Sequence, residues 1–345
     1  MVTEYRVVTK SCPACGEVTE GVAPEGVTSL AQYGPGVHAR AALVVCAHYL
    51  PVARGARLMA AYTGVSVSTG FMAGVRGKAA ARLGPFMDRA RELLRQAGCC
   101  MPMRPRPAPT AGCTMFTSRA PSSSPALHTG DRTKEAIDAG GVLPGYTGTI
   151  VRDGYAGHEH LADAVHAWCG AHSLRDLAGL YRFDPEGQVW ARSMADLLIW
   201  ANKQATAARA ARQASLSDGQ LAEIRSWYRG AVAKGITDNQ HRRRQIAKDG
   251  LRLARRFRGH QDMILRFATD LTVGFTSNEA ERGVRPVKVQ QRTSGGCWRT
   301  LQGLADFAVV QSYLSTATKW GIDALDALTQ LFTTGPWLPA AVRPG

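Results

Sequence analysis

Near the amino terminus, Cys12-Pro13-Ala14-Cys15-Gly16 has the spacing of one thiolate knuckle of a zinc ribbon. A tetrahedral thiolate site needs two such pairs, and no second pair lies within reach in the sequence. Two readings stand: Cys12 and Cys15 are the remnant of a truncated ribbon, or a chance knuckle without metal. In either case bound Zn²⁺ is not expected in the isolated chain. A second stretch is cationic. Residues 241–258 carry Arg242, Arg243, Arg244, Lys248, Arg252, Arg255, Arg256 and Arg258 against a single acid, Asp249. Lys248, Arg252, Arg255 and Arg256 recur at three- and four-residue steps, so one helical face could carry them. Like charges that close repel, and DNA phosphate would relieve the cost. A solvated helix face is the plainer alternative. Phe257 is the lone aromatic there, so base stacking is not indicated. A third stretch, Gly148-Thr149-Ile150-Val151-Arg152-Asp153-Gly154, reads as a buried strand ending in an acid and a glycine.

The elements that must position these groups follow from periodicity. Residues 1–33 show little of it. Residues 34–98 read as helices: Val37 to Leu50, ended by Pro51, then Val52 to Tyr62, then Thr69 to Leu83 behind a Ser68 N-cap, then Phe86 to Ala97. Cys46 falls on an apolar helix and belongs to a core. Helix, glycine-containing turn and helix outline a helix-turn-helix, with Arg76, Lys78 and Arg82 placed to face phosphates. An ordinary helical hairpin with a basic face is the alternative. Residues 99–127 break the pattern with six prolines, a Ser-Ser-Ser run, three arginines and no acid, the composition of a disordered linker. A short helix, Arg132 to Ala139, precedes the strand at 148–154. Residues 161–270 are mostly helical, a helix from Ser277 stops before Pro286, and a helix from Leu301 to Trp320 precedes a loose tail over 321–345.

The whole has 345 residues, with 42 Lys and Arg against 27 Asp and Glu, a net charge of +15. That excess favours a polyanionic partner, nucleic acid first. No apolar run approaches the ~18 residues that span a bilayer, and Met1 leads into Glu4 and Arg6 in place of a signal-peptide core. A cytoplasmic protein is expected, its eight cysteines thiols or metal ligands and not disulfides.

The carboxy-terminal third is the most specific. Phe275-Thr276-Ser277-Asn278-Glu279-Ala280-Glu281-Arg282, Val284-Arg285-Pro286-Val287-Lys288-Val289, Ser294-Gly295-Gly296 and Ser312-Tyr313-Leu314-Ser315-Thr316-Ala317 resemble the end of insertion sequence 66 family transposases. Gln32-Tyr33-Gly34-Pro35, Val142-Leu143-Pro144-Gly145, Arg152-Asp153-Gly154 and Cys169-Gly170-Ala171-His172 follow the same family in the same order. The resemblance implies an α/β fold. It would be a ribonuclease-H-like mixed sheet over 128–320 with a large helical insertion at about 173–270, preceded by the helical, helix-turn-helix-like domain. It implies two Asp and a Glu holding two Mg²⁺ ions, which activate water or a 3′-hydroxyl and stabilise the leaving oxygen at a DNA phosphodiester. Asp153 would be the second Asp and Glu281 the Glu, with Asn278 and Arg285 on the same helical face and Cys169 and His172 in support. A turn acid for Asp153, a surface Glu281–Arg285 pair and a packing role for Cys169 and His172 are the alternatives. Double-stranded DNA at the element's ends is the implied partner, with further copies of the chain, and no membrane.

The family's first Asp lies in a strand motif of the type His-Ala-Asp-Glu-Thr, yet no acid occurs between Glu92 and Asp131. Codons GTG CTG CAT GCC GAT GAG ACC encode Val-Leu-His-Ala-Asp-Glu-Thr. Read one base later they give Cys-Cys-Met-Pro-Met-Arg and a proline codon, the run Cys99-Cys100-Met101-Pro102-Met103-Arg104-Pro105. The expectation is therefore an internal frameshift over about 99–126, loss of the first strands, and a transposase without its first aspartate. The alternative is a non-catalytic DNA-binding protein or inhibitor derived from one.

Overall fold

The computed structural model describes residues 3–27, 29, 32–103, 112–118, 126–130, 133–293, 298 and 300–340. A small antiparallel hairpin, β1 (Thr9–Ser11) and β2 (Val18–Glu20), leads. Four helices follow: α1 (Pro35–Ala42), α2 (Val52–Thr63), α3 (Thr69–Ala80) and α4 (Gly84–Gln96). α1 runs into a π-helical turn at Leu43–Ala47 that buries Val44, Val45 and Cys46. The hydroxyl of Ser68 accepts the N–H of Phe71 and so caps α3, as its type predicts.

Next come β3 (Cys99–Met103), β4 (Gly112–Ser118), β5 (Ala126–Gly130), α5 (Lys134–Ala139), β6 (Thr149–Arg152) and β7 (Val165–Trp168). They form one sheet in the order β5-β4-β3-β6-β7. β3, β4 and β5 pair antiparallel, while β6 lies parallel to β3 and β7 parallel to β6. Residues alternate between two cores, as the strand period of two requires. Cys100 and Ile150 join the helices α1–α4, whereas Cys99, Met101 and Val151 join the opposite cluster.

The helical stretch comprises α6 (Gly170–Phe183), α7 (Val189–Ala210), α8 (Asp218–Asn239), α9 (Gln245–Gly259), α10 (Gln261–Ile264) and α11 (Arg266–Thr269). It has its own core around Trp190, Tyr228 and Phe257. The chain then returns to the sheet through α12 (Asn278–Gly283), α13 (Arg285–Thr293) and α14 (Leu301–Lys319). α14 serves both sheet-facing cores. Leu304, Phe307 and Ala308 pack with Met101 and Val151, and Val310, Tyr313 and Leu314 pack with the amino-terminal helices. The chain closes with α15 (Ala324–Thr333). No described helix is long and apolar enough to cross a membrane.

Two expectations change. Residues 99–127, read as a disordered linker, supply β3, β4 and the start of β5. The apolar and β-branched residues between the prolines pair as strands. Pro102 pairs with Phe116 of β4 but lies past Cys100, the last residue of β3 registered with β6, so it is not flanked by strands on both sides. The other five prolines of that segment lie outside the described residues. The helix from Ser277 ends at Gly283, before Pro286 as its sequence predicts, and Pro286 sits in the first turn of the next helix, α13, where its missing N–H has no helical partner to lose. The tail over 321–345 contains α15, capped by Asp323, whose carboxylate accepts the N–H groups of Leu325 and Asp326. Ala327, Leu328 and Leu331 of α15 are buried against the amino-terminal helices.

Candidate active site

All four residues of β6 are buried, and the strand delivers Asp153 to its end. Gly154 then takes φ +42°, with the Trp168 indole packed where a side chain would begin. Glycine is required on both counts. Asp153 is half-buried, and its carboxylate accepts the Tyr155 N–H at 3.3 Å.

Cys169 follows β7 and opens α6. Its N–H donates to the Arg152 carbonyl at 2.8 Å, and the Gly170 N–H donates to the Phe275 carbonyl at 2.7 Å. These bonds clamp the loop before α12 onto the end of the sheet. At the head of α12, Ser277 donates to the Cys169 sulfur from its N–H at 3.3 Å and from Oγ at 3.2 Å. Burial opposes ionisation of this thiol. The His172 ring and the Ser277 hydroxyl and N–H together outweigh it and bring the thiol down to about 7. One turn along α12, Glu281 Oε1 lies 3.9 Å from His172 Nε2. The adjacent Cys169 thiol raises the His172 pKa against burial, and Asp153 raises it further. The two candidate carboxylates, distant in sequence, both bear on one imidazole.

The supporting set divides. Cys169 and His172 lie at the centre of the arrangement. Asn278 and Arg285 are exposed, and Arg285 does not share a helix with Glu281. Pro286 has no N–H for a bond back to Arg282, so the ladder breaks between α12 and α13. Glu279 pairs with Lys319 at 2.8 Å, away from His172.

Trp168 and Arg152 did not stand out in the sequence. The Arg152 guanidinium is buried at 3% side-chain exposure, donates to His166 and to the Tyr155 carbonyl, and fixes the loop beyond Asp153. Trp168 packs on Gly154 and takes Arg152 and Arg256 over its ring at 5.8 and 5.2 Å. The available signal was an aromatic residue at a strand end directly before Cys169-Gly170.

Within the same loop His158 is buried, and among the described residues its Nδ1 has no hydrogen-bond partner. Burial lowers its pKa from 6.5 to about 4. The folded chain keeps the ring neutral while the unfolded chain takes up a proton near pH 6.5, so acidification from 6.5 towards 4 favours unfolding. The loss reaches about 3 kcal/mol. In urea titrations His158→Gln should flatten that acid-side fall by about this amount. An unchanged slope would show that His158 titrates normally.

The cationic candidates also divide. Lys78 and Arg82 are exposed on and just after α3. Arg76 does not face outward. It lies between Trp298 and Phe307, 5.8 and 5.6 Å from their centroids, with a buried Nε and the buried Cys46 thiol as neighbours. Arg243, Arg244, Lys248, Arg252 and Arg255 are exposed, and Arg242 lies 3.9 Å from Asp184. Arg256 leaves the face expected for it. Its guanidinium pairs with Asp176 at 2.5 Å and covers Trp168, because position 256 is turned towards the side that buries Phe257. Cys12 and Cys15 occupy the turn between β1 and β2, remote in sequence from the other cysteines.

Among the described residues, no group of three or more His, Cys, Asp or Glu side chains is arranged to hold a metal. Two carboxylates do not fit a three-acid centre for a pair of Mg²⁺ ions. A family profile described as "Transposase IS66 family" matches residues 31–305. No curated protein matches the chain significantly. The match spans most of the sequence, and the chain belongs to the IS66 family of transposases. That family is of the DDE type, which uses divalent metal and acts on DNA.

Proposed function

We propose that this chain is a DNA transposase by descent whose catalytic centre has lost its first aspartate. The observation that carries the reading is Glu281 Oε1 of α12 at 3.9 Å from the His172 ring, whose pKa the charge of Asp153 after β6 also raises. The sheet supports a ribonuclease-H-like assignment. Three antiparallel strands followed by two parallel ones, in the order β5-β4-β3-β6-β7, put β3 at the centre beside β6. In such a sheet two acids meet when they end adjacent parallel strands.

The register supports the frameshift as well. Cys99 pairs with Thr149 and Cys100 with Ile150, and the same offset carries Met103 to Asp153. In the alternative frame the codon at Met103 is the aspartate of Val-Leu-His-Ala-Asp-Glu-Thr. The lost acid would thus have stood level with the surviving one. Double-stranded DNA is the partner, held by Lys78, Arg82 and the exposed cations of α9. A non-catalytic binder or inhibitor is the second reading, favoured by the fact that those cations remain exposed.

The test is a chain re-coded over 99–126 in the alternative frame. With Mg²⁺ it should nick DNA carrying the flanks of its own locus, and Asp153→Ala or Glu281→Ala should each remove that activity. Retention of nicking in both variants would overturn the assignment of the two acids.

A further inference from the structure

A cavity of about 380 Å³ lies between α8 and the corner that joins α9 to α10. That is room for a small organic group. Val232, Ala233 and Ile236 follow one side of α8 and make the lining mostly apolar. The back wall is Tyr228, which stacks on Phe257 and donates its hydroxyl to the Phe257 carbonyl at 2.9 Å. The wall is thereby fixed to α9, and the cavity is formed before any ligand arrives.

Two cations stand at the opening. Arg229 and Arg258 line the cavity and are exposed. Neither guanidinium has an ion-pair or hydrogen-bond partner among the described residues, whereas Arg256 is held by Asp176. Among the described residues no acid lines the cavity. Thr237 and Gln261 add hydrogen-bonding groups of both kinds, donor and acceptor. A purely apolar guest would leave those groups unpaired. A flat heterocycle with a polar edge satisfies them. Guanidinium groups stack on flat rings and bind phosphate, so the rim suits such a ring carrying a phosphate.

The place of the cavity says what carries the ring. Lys248, Arg252 and Arg255 step by four and three along α9, and Arg258 follows Arg255 by three. Arg256 and Arg258, two residues apart on a helix, point to opposite flanks of that row. Arg256 covers Trp168 beside the candidate active site, and Arg258 borders the cavity. A nucleic-acid strand whose phosphates follow the row passes the mouth of an apolar, cation-rimmed hole. A base paired inside a duplex does not reach into it, but a base swung out of the stack does.

We propose that this cavity binds one unpaired nucleotide of the DNA held along α9. The base lies on Val232, Ala233 and Ile236 with its edge at Thr237 and Gln261, and its phosphate meets Arg229 and Arg258. Unstacking costs least for a base that has no partner, so the site selects bulged positions over intact duplex. The inference rests on the reading of α9 as the DNA-facing helix, and it uses no residue of the candidate active site.

The experiment presents the full chain with two duplexes of one sequence, one fully paired and one with a single bulged 2-aminopurine. The bulged duplex should bind about tenfold more tightly, and its 2-aminopurine fluorescence should rise as the base leaves the stack. Ala233→Phe fills the cavity from an exposed helix position. It should remove both the preference and the fluorescence change. The affinity for paired duplex, its salt slope and the far-ultraviolet circular dichroism should stay unchanged. Arg229→Gln, which lies off the α9 row, should reduce the preference several-fold with the same controls. Paired duplex that binds with a salt slope while the bulge gives no preference, or a preference that survives Ala233→Phe, overturns the nucleotide site and leaves the DNA-facing reading of α9 standing. A chain that binds neither duplex overturns both. Binding of an acidic, leucine-containing peptide that Ala233→Phe abolishes, without any bulge preference, gives the cavity to a protein partner instead.

Discussion

Incubated with Mg²⁺ and DNA carrying the flanks of its own locus, the purified chain will leave that DNA uncut. A two-ion centre requires hard oxygen ligands around both cations, and among the described residues no group of three or more His, Cys, Asp or Glu side chains is arranged to hold one. Loss of a group that stabilises charge at the reacting atoms costs about 10³-fold or more in rate. Relative to the re-coded chain the deficit should be at least of that size. The offset between β3 and β6 makes a sharper test available. Met103→Asp puts a carboxylate on the central strand level with Asp153. Binding of Mn²⁺, followed by the electron-spin-resonance signal of the free ion, should tighten about tenfold or more, a gain of roughly 1.4 kcal/mol. The gain should vanish in Met103→Asp combined with Asp153→Ala. Parent protein that nicks DNA with Mg²⁺, and loses this on Asp153→Ala, would show that the missing aspartate is not needed.

What the sequence disclosed depended on whether a signal was local. Helices α1 to α4 announced themselves through period and punctuation, with Pro51 before α2 and Ser68 before α3. The strand at 149–152 was evident from the run Thr149-Ile150-Val151 ahead of Asp153-Gly154. The strands β3 and β4 were hidden because prolines dominate their surroundings, and strand pairing is a property of neighbours that no single segment shows. The direction of Arg76 and Arg256 was hidden for a related reason. Helical spacing says which residues share a face, but not whether Trp298 or Trp168 arrives from elsewhere to cover that face. The clamp between Cys169 and Ser277 joins residues 108 positions apart. The chain showed both ends of it as motifs, yet only the fold brings the sulfur to the head of α12. The acids behave likewise. Their types and order were legible, and His172 was expected in support, while its approach to Glu281 is visible only in the fold.

Binding of duplex DNA will fall steeply with salt, and a defined set of three cations will account for part of the slope. Lys248, Arg252 and Arg255 are exposed on α9 at steps of four and three, so they follow one face. Arg252 is shared with Asp249 at 3.0 Å, an exposed pair that a phosphate can displace. Replacing the three by Gln should lower the slope of log affinity against log salt by about 3, at roughly 0.9 per lost phosphate contact. Arg256 lies on the same helix and carries the same charge, but it is committed to Asp176 and to the Trp168 ring. Arg256→Gln should therefore act on the fold, lowering stability by about 1 kcal/mol, and leave the slope unchanged. Trp168 also packs on Gly154, next to Asp153, so the exposed cations of α9 begin where the candidate active site ends. DNA laid along them would be led towards the two surviving carboxylates. If the triple substitution leaves the salt slope intact while Arg256→Gln changes it, the DNA path lies on the opposite side of α9 and this orientation is wrong.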